Sequence, residues 1–142
     1  MAVNELENDF EYDFSLFGLV CSLKEYQVAY YMNKLLSIDL EKGKDDEIEN
    51  KKGGKLVFSI FTAQTDSSDI RLIKNKALES YKVTKPFFLP ELKEFDYFLQ
   101  IHGELHDWYE DIVTELLKKV SQIEYIKQLE VENIDLKENL IY

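Results

Sequence analysis

Phe14-Ser15-Leu16-Phe17-Gly18-Leu19-Val20-Cys21 runs straight into Ser22-Leu23-Lys24-Glu25. Tyr12, Phe14, Leu16 and Val20 share one parity, and Phe17, Leu19 and Cys21 fill part of the other. A segment apolar on both faces belongs inside a sheet, so the pattern predicts a central strand over 13–21. Ser22 and Glu25 have the spacing of a capping box, in which hydroxyl and carboxylate each satisfy a free backbone N–H, so a helix is expected to begin there. Val28, Met32, Leu35 and Leu36 recur at helical spacing, with Tyr31 widening the stripe, and the helix should end near Ser37 with one side against the sheet.

Downstream, 41–54 is charged and almost without apolar residues, which predicts an exposed loop. Lys55 to Ala63 and Asp69 to Lys74 are rich in β-branched and aromatic residues, and the turn-like 64–68 between them makes a hairpin. Ala77 to Lys85 reads either as a further meander strand or as a packed loop. Phe95, Tyr97, Leu99 and Ile101 alternate with Asp96, Gln100 and His102, a strand with one dry face on which Phe98 is the exception. Leu105, Trp108, Tyr109, Ile112, Leu116 and Val120 trace a second helix, acidic early and basic late in accord with the helix dipole. Ile123 to Val131 alternates again as a last strand. The order predicts an α+β fold, a ferredoxin-like split βαβ arrangement with extra middle segments, two helices covering one face of an antiparallel or mixed sheet.

A chain of 142 residues has room for one domain, 1–142. With 45% hydrophobic residues, 13% aromatic, 5 Gly and 2 Pro, it is built to fold. Seventeen basic against 28 acidic residues give a net charge of −11, which repels polyanions and argues against nucleic acid. The acidic N-terminal stretch does not resemble a secretory signal, and Phe14 to Leu23 falls short of the ~20 apolar residues a membrane helix needs, so no membrane association is expected. One cysteine forms no internal disulfide and no cysteine-based zinc site, which fits a reducing, cytoplasmic setting.

Leu89-Pro90-Glu91-Leu92-Lys93-Glu94-Phe95-Asp96-Tyr97 resembles the signature of the bacterial IPExxxVDY family. Pro90, Glu91, Asp96 and Tyr97 match it, while Leu89 stands for Ile and Phe95 for Val. The similarity extends through 97–104 and the terminal Asn139-Leu140-Ile141-Tyr142, nearly the whole chain, and implies a bacterial single-domain protein with no catalytic residues to carry over. In physical terms, Pro90 presets φ for a first helical position, and Glu91 stands where a carboxylate meets free N–H groups. That reading is a structural junction, with Tyr97 on the core parity and Asp96 pointing away. The competing reading gives Glu91 and Asp96 a ligand.

His102, Glu104, His106 and Glu110 cluster around the turn at Gly103, the best sequence position for metal or acid–base chemistry. Only His106 and Glu110 have the i, i+4 relation, and no His-Glu-x-x-His motif is present, so neither metal nor cofactor is expected. Cys21 reads as a buried structural thiol, Gly53-Gly54 lacks the spacing of a phosphate loop, and Arg71 is the sole arginine. Tyr26, Tyr30 and Tyr31 on the first helix and Trp108 and Tyr109 on the second are interaction candidates, because tyrosine joins apolar area to a polar tip. Ile141 and Tyr142 are expected to pack onto this domain or onto a second copy.

The composite expectation is a non-enzymatic domain acting through a protein partner or itself, as a homodimer. The alternative is a small-molecule or metal-binding domain, catalytic or not, using Glu91, Asp96, His102 or His106. A pocket enclosing several of these groups would favour the alternative, and their dispersal would favour the first.

Overall fold

The computed structural model describes residues 14–49, 53–83, 86–103 and 110–134. The strand predicted at the outset is β1, Phe14–Cys21, and it is interior: it pairs antiparallel with β8, Tyr97–Gly103, on one side and with β9, Ile123–Leu129, on the other. β8 and β9 are therefore parallel to each other with β1 between them, and they are joined through the helix α2, Glu110–Leu117. β6, Ser68–Lys74, pairs with β8, and β5, Ile60–Gln64, closes the expected hairpin with β6. The two-residue β2, Glu41–Lys42, ends a six-stranded sheet of order β2-β5-β6-β8-β1-β9.

The parity of β1 separates two cores. Phe17, Leu19 and Cys21 pack with Val28, Ala29 and Met32 of the helix α1, Glu25–Leu36, and with Val113 and Leu117 of α2. Phe14 and Leu16 face the opposite way, toward Phe58, Phe88, Phe95 and Phe98. Phe98, the exception in the alternation of its strand, thus lies in this second core, because both faces of β8 are covered.

The covering layer corrects the ferredoxin-like expectation. The main sheet has six strands, and a second antiparallel sheet of β3, Asp46–Glu49, β4, Lys55–Phe58, and β7, Glu79–Tyr81, stands apart from it with the order β3-β4-β7. The segment expected as a charged loop supplies β2 and β3. In β3 only Ile48 packs against the second core, while Glu47 and Glu49 are exposed. One apolar residue in four positions produces no legible alternation. β4 passes into β5 through Ser59, whose carbonyl accepts the Lys74 N–H at 3.2 Å, so one extended run serves both sheets.

α1 also starts later than the Ser22 box predicts. Its N-cap is Lys24, whose N–H is accepted by Gln27 Oε1 at 2.9 Å. Ser22 lies outside the helix: the first helical N–H groups, of Gln27 and Val28, donate to the Lys24 carbonyl, while the Leu23 carbonyl accepts the buried Tyr97 hydroxyl at 2.6 Å. The helix ends at Ser37, in the left-handed conformation with φ 55°.

Gly18 is the one position of β1 without a side chain, and the Phe95 ring occupies its place. A Cβ there would stand 2.6 Å from Phe95 Cδ1. Gly18→Ala is expected to displace that ring and to lower stability by roughly 1–3 kcal/mol, the usual range for overpacking a filled core. Urea unfolding of the variant beside the parent protein measures it.

Candidate functional site

The Pro90 motif folds as a single tight turn. Leu89 is extended, as a residue before proline prefers, and Pro90–Leu92 forms a 3-10 turn closed by the Leu92 N–H on the Leu89 carbonyl at 2.9 Å. A residue distant in sequence holds this turn in place. The Asn75 carboxamide, 1% exposed, donates to the carbonyls of Leu92 at 3.0 Å and Phe95 at 2.9 Å, and its Oδ1 accepts the Leu89 N–H at 3.0 Å. Its backbone joins in: the Asn75 N–H is accepted by the Asp96 carbonyl and the Phe88 N–H by the Asn75 carbonyl.

Asp96 and Tyr97 carry the chain from this turn onto β1. The Asp96 N–H donates to the Leu19 carbonyl at 2.8 Å, and its Oδ2 accepts the Cys21 N–H at 2.9 Å, where β1 shifts register against β9. Tyr97 is 2% exposed. Burial pushes its phenol well above the ordinary range, and the negative charges that Cys21, Glu25 and Asp96 can carry push the same way. The Cys21 thiol is also raised, first by burial, against a lowering hydrogen bond from the Leu23 backbone. A buried thiol with a raised pKa is a poor nucleophile at neutral pH.

Beside these residues the end of the main sheet opens into a hollow of about 320 Å³, lined by Asp96, Tyr97 and four lysines, Lys24, Lys74, Lys76 and Lys93. Glu91 lines a different hollow of about 380 Å³ with Lys127 and Glu130. His102 lines a third, of about 280 Å³, at the β5–β6 turn with Asp66 and Asp69, its ring 4.8 Å from that of Phe14. Glu91, Asp96 and His102 are thus distributed over three separate hollows. His106, Trp108, Ile141 and Tyr142 lie outside the described residues. Tyr26 and Tyr30 stand on the outer side of α1, each 59% exposed, and the Tyr30 ring meets Tyr31 edge-on at 5.5 Å. Arg71 is inside the fold, its guanidinium donating to Gln100 Oε1 at 3.0 and 2.9 Å. Among the described residues no three His, Cys, Asp or Glu side chains gather closely enough to hold a metal ion.

Asn75 and the lysines carried no sequence signal of their own. An asparagine after a strand is read as turn chemistry, and lysines at 24, 74, 76 and 93 are brought together only by folding. No family model matches the chain, and no curated protein matches it.

Asn75→Ala should cost several kcal/mol, since three buried backbone groups lose their partner at about 1–3 kcal/mol each. Asn75→Asp keeps the acceptor for Leu89 but turns a second acceptor toward two carbonyls. Its carboxyl pKa should rise on folding above about 3.9, so this variant loses stability as pH rises from 4 to 7 relative to Asn75→Ala. Urea titrations of both variants across that range separate the two effects. Tyr97 has the corresponding alkaline signature: its ordinary value is 10.0 and the folded value is higher, so the unfolded chain releases its proton first. Stability should fall as pH passes 10, and Tyr97→Phe, though weakened by the lost bond to Leu23, should fall less steeply.

Proposed function

We propose that this protein is a cytosolic bacterial binding domain of the IPExxxVDY kind that works by association, pairing with a second copy of itself through the outer face of α1. The observation that carries this reading is the stripe Tyr26, Tyr30, Lys34. Its members are spaced i, i+4, i+8, all three are exposed, and the two rings are each 59% accessible. Glu25 is the single acidic residue among the 12 of the helix, in a chain with 28 acids. Two bodies of charge −11 repel each other, and they can approach only where acid is scarce. An antiparallel meeting of two such stripes sets lysine of one copy over tyrosine of the other, a favourable cation–π arrangement.

The dispersal of Glu91, Asp96 and His102 over three hollows further supports association over chemistry at a shared centre. No helix among the described residues is long and apolar enough to cross a membrane. The single cysteine is free and buried, which agrees with a reducing compartment.

Light scattering at micromolar concentration should give about twice 16.8 kDa, with the dimer fraction growing as salt screens the mutual repulsion. Tyr26→Ser combined with Tyr30→Ser should weaken the dimer at least tenfold, about 1.4 kcal/mol, without changing the monomer's melting behaviour. A parent protein that stays at 16.8 kDa at every concentration and salt overturns the reading.

A further inference from the structure

We propose that the lysine-lined hollow at the end of the main sheet is a binding site for a small organic anion bearing at least two phosphate or carboxylate charges. The lysines come from four different places in the fold: Lys24 caps α1, Lys74 ends β6, Lys76 forms the isolated bridge with Phe87, and Lys93 follows the Pro90–Leu92 turn. None of the four makes an ion pair among the described residues, although the chain has 28 acidic residues for 17 basic ones. With so large an excess of carboxylates, the expected neighbour of a lysine is an acid. Here four lysines line the hollow against one carboxylate, Asp96, which is itself held by the Cys21 N–H.

Like charges gathered around one concavity repel, and an anion placed between them turns that repulsion into attraction. The hollow also includes the lead-in to α1, whose 12 residues direct the positive end of their dipole toward it. Phe87, half-buried, also lines the hollow and offers apolar surface beside the lysines. A volume of about 320 Å³ is near the lower end of small-ligand pockets, roughly 300–1,000 Å³, and admits a compact metabolite. The charge of −11 over the whole chain turns away extended polyanions such as nucleic acid, so a small anion is the occupant that both the global and the local field permit. The site is independent of the dimer reading, because Tyr26, Tyr30 and Lys34 do not line it.

The test is calorimetric titration of the full chain with two probes, inorganic pyrophosphate and citrate, at fixed ionic strength. Saturable binding of at least one is expected, with pyrophosphate tighter for a phosphate site and citrate tighter for a polycarboxylate site. Combining Lys74→Gln, Lys76→Gln and Lys93→Gln should weaken binding at least tenfold while leaving the unliganded melting temperature unchanged or higher, since repulsion is relieved. Lys42→Gln, Lys55→Gln and Lys118→Gln make the same change of charge at lysines paired with Asp45, Glu47 and Glu115, and this control should bind as the parent does. Loss of affinity in the control equal to that in the site variant, or absence of saturable binding by both probes, overturns the proposal.

Discussion

The side chain of Asn75 holds together parts of the chain that nothing local would join. Its amide and carbonyl meet Leu89, Leu92 and Phe95, 14 to 20 residues away, inside a region closed to water. A buried carboxamide has both donors and acceptor, and a tight turn over an apolar core exposes both unsatisfied carbonyls and an unsatisfied N–H. Only an amide fits that combination with one side chain. Once the turn is held, Phe88 meets Phe58 edge-on at 5.3 Å, Phe95 lies over Gly18, and Asp96 reaches the end of β1. The second core therefore depends on the three hydrogen bonds of one buried polar side chain, in keeping with the high cost of leaving buried polar groups without partners.

Polar groups near this turn divide between structural contacts and the lining of the proposed site. Asp96 and Tyr97, the motif residues with the most chemistry to offer, are engaged with the backbone of Cys21 and Leu23. Their engagement ties β8 to β1 and to the start of α1. Lys24, Lys74, Lys76 and Lys93 line the hollow beside them and make no ion pair among the described residues, so in the proposed anion site the junction is the floor and the lysines are the rim. A rigid floor with a charged rim is the usual construction of a recognition site, where preorganisation lowers the cost of ordering on binding.

Charge acts at two ranges in this molecule. At long range the excess of 11 acids sets which bodies approach at all, and it does so less at physiological salt, where fields fade over about 8 Å. At short range, the acid-poor surfaces of α1 and of the sheet end are exceptions to the general sign. Both proposed activities are located at these exceptions, and they differ in character: one surface is aromatic and flat, the other concave and basic.

The amino-acid sequence by itself determined the periodic elements. β1 as an interior strand, the stripe of α1, the β5–β6 hairpin and the strands β8 and β9 were legible because apolar residues repeat at 2 or 3.6 positions, a property each segment carries alone. It also determined that Tyr97 belongs to the core and that the Pro90 segment is a turn. Tertiary structure decided the rest. Whether the second face of β8 would be wet or dry depended on β3, β4 and β7: β3 has too few apolar residues to announce itself, and the segment that holds β7 reads equally as a strand or as a loop. The meeting of Lys24, Lys74, Lys76 and Lys93, and the grip of Asn75 on a turn 14 residues ahead, are contacts between segments far apart along the chain. No local period encodes such contacts, because their free energy exists only once both partners have been brought together by the packing of everything between them.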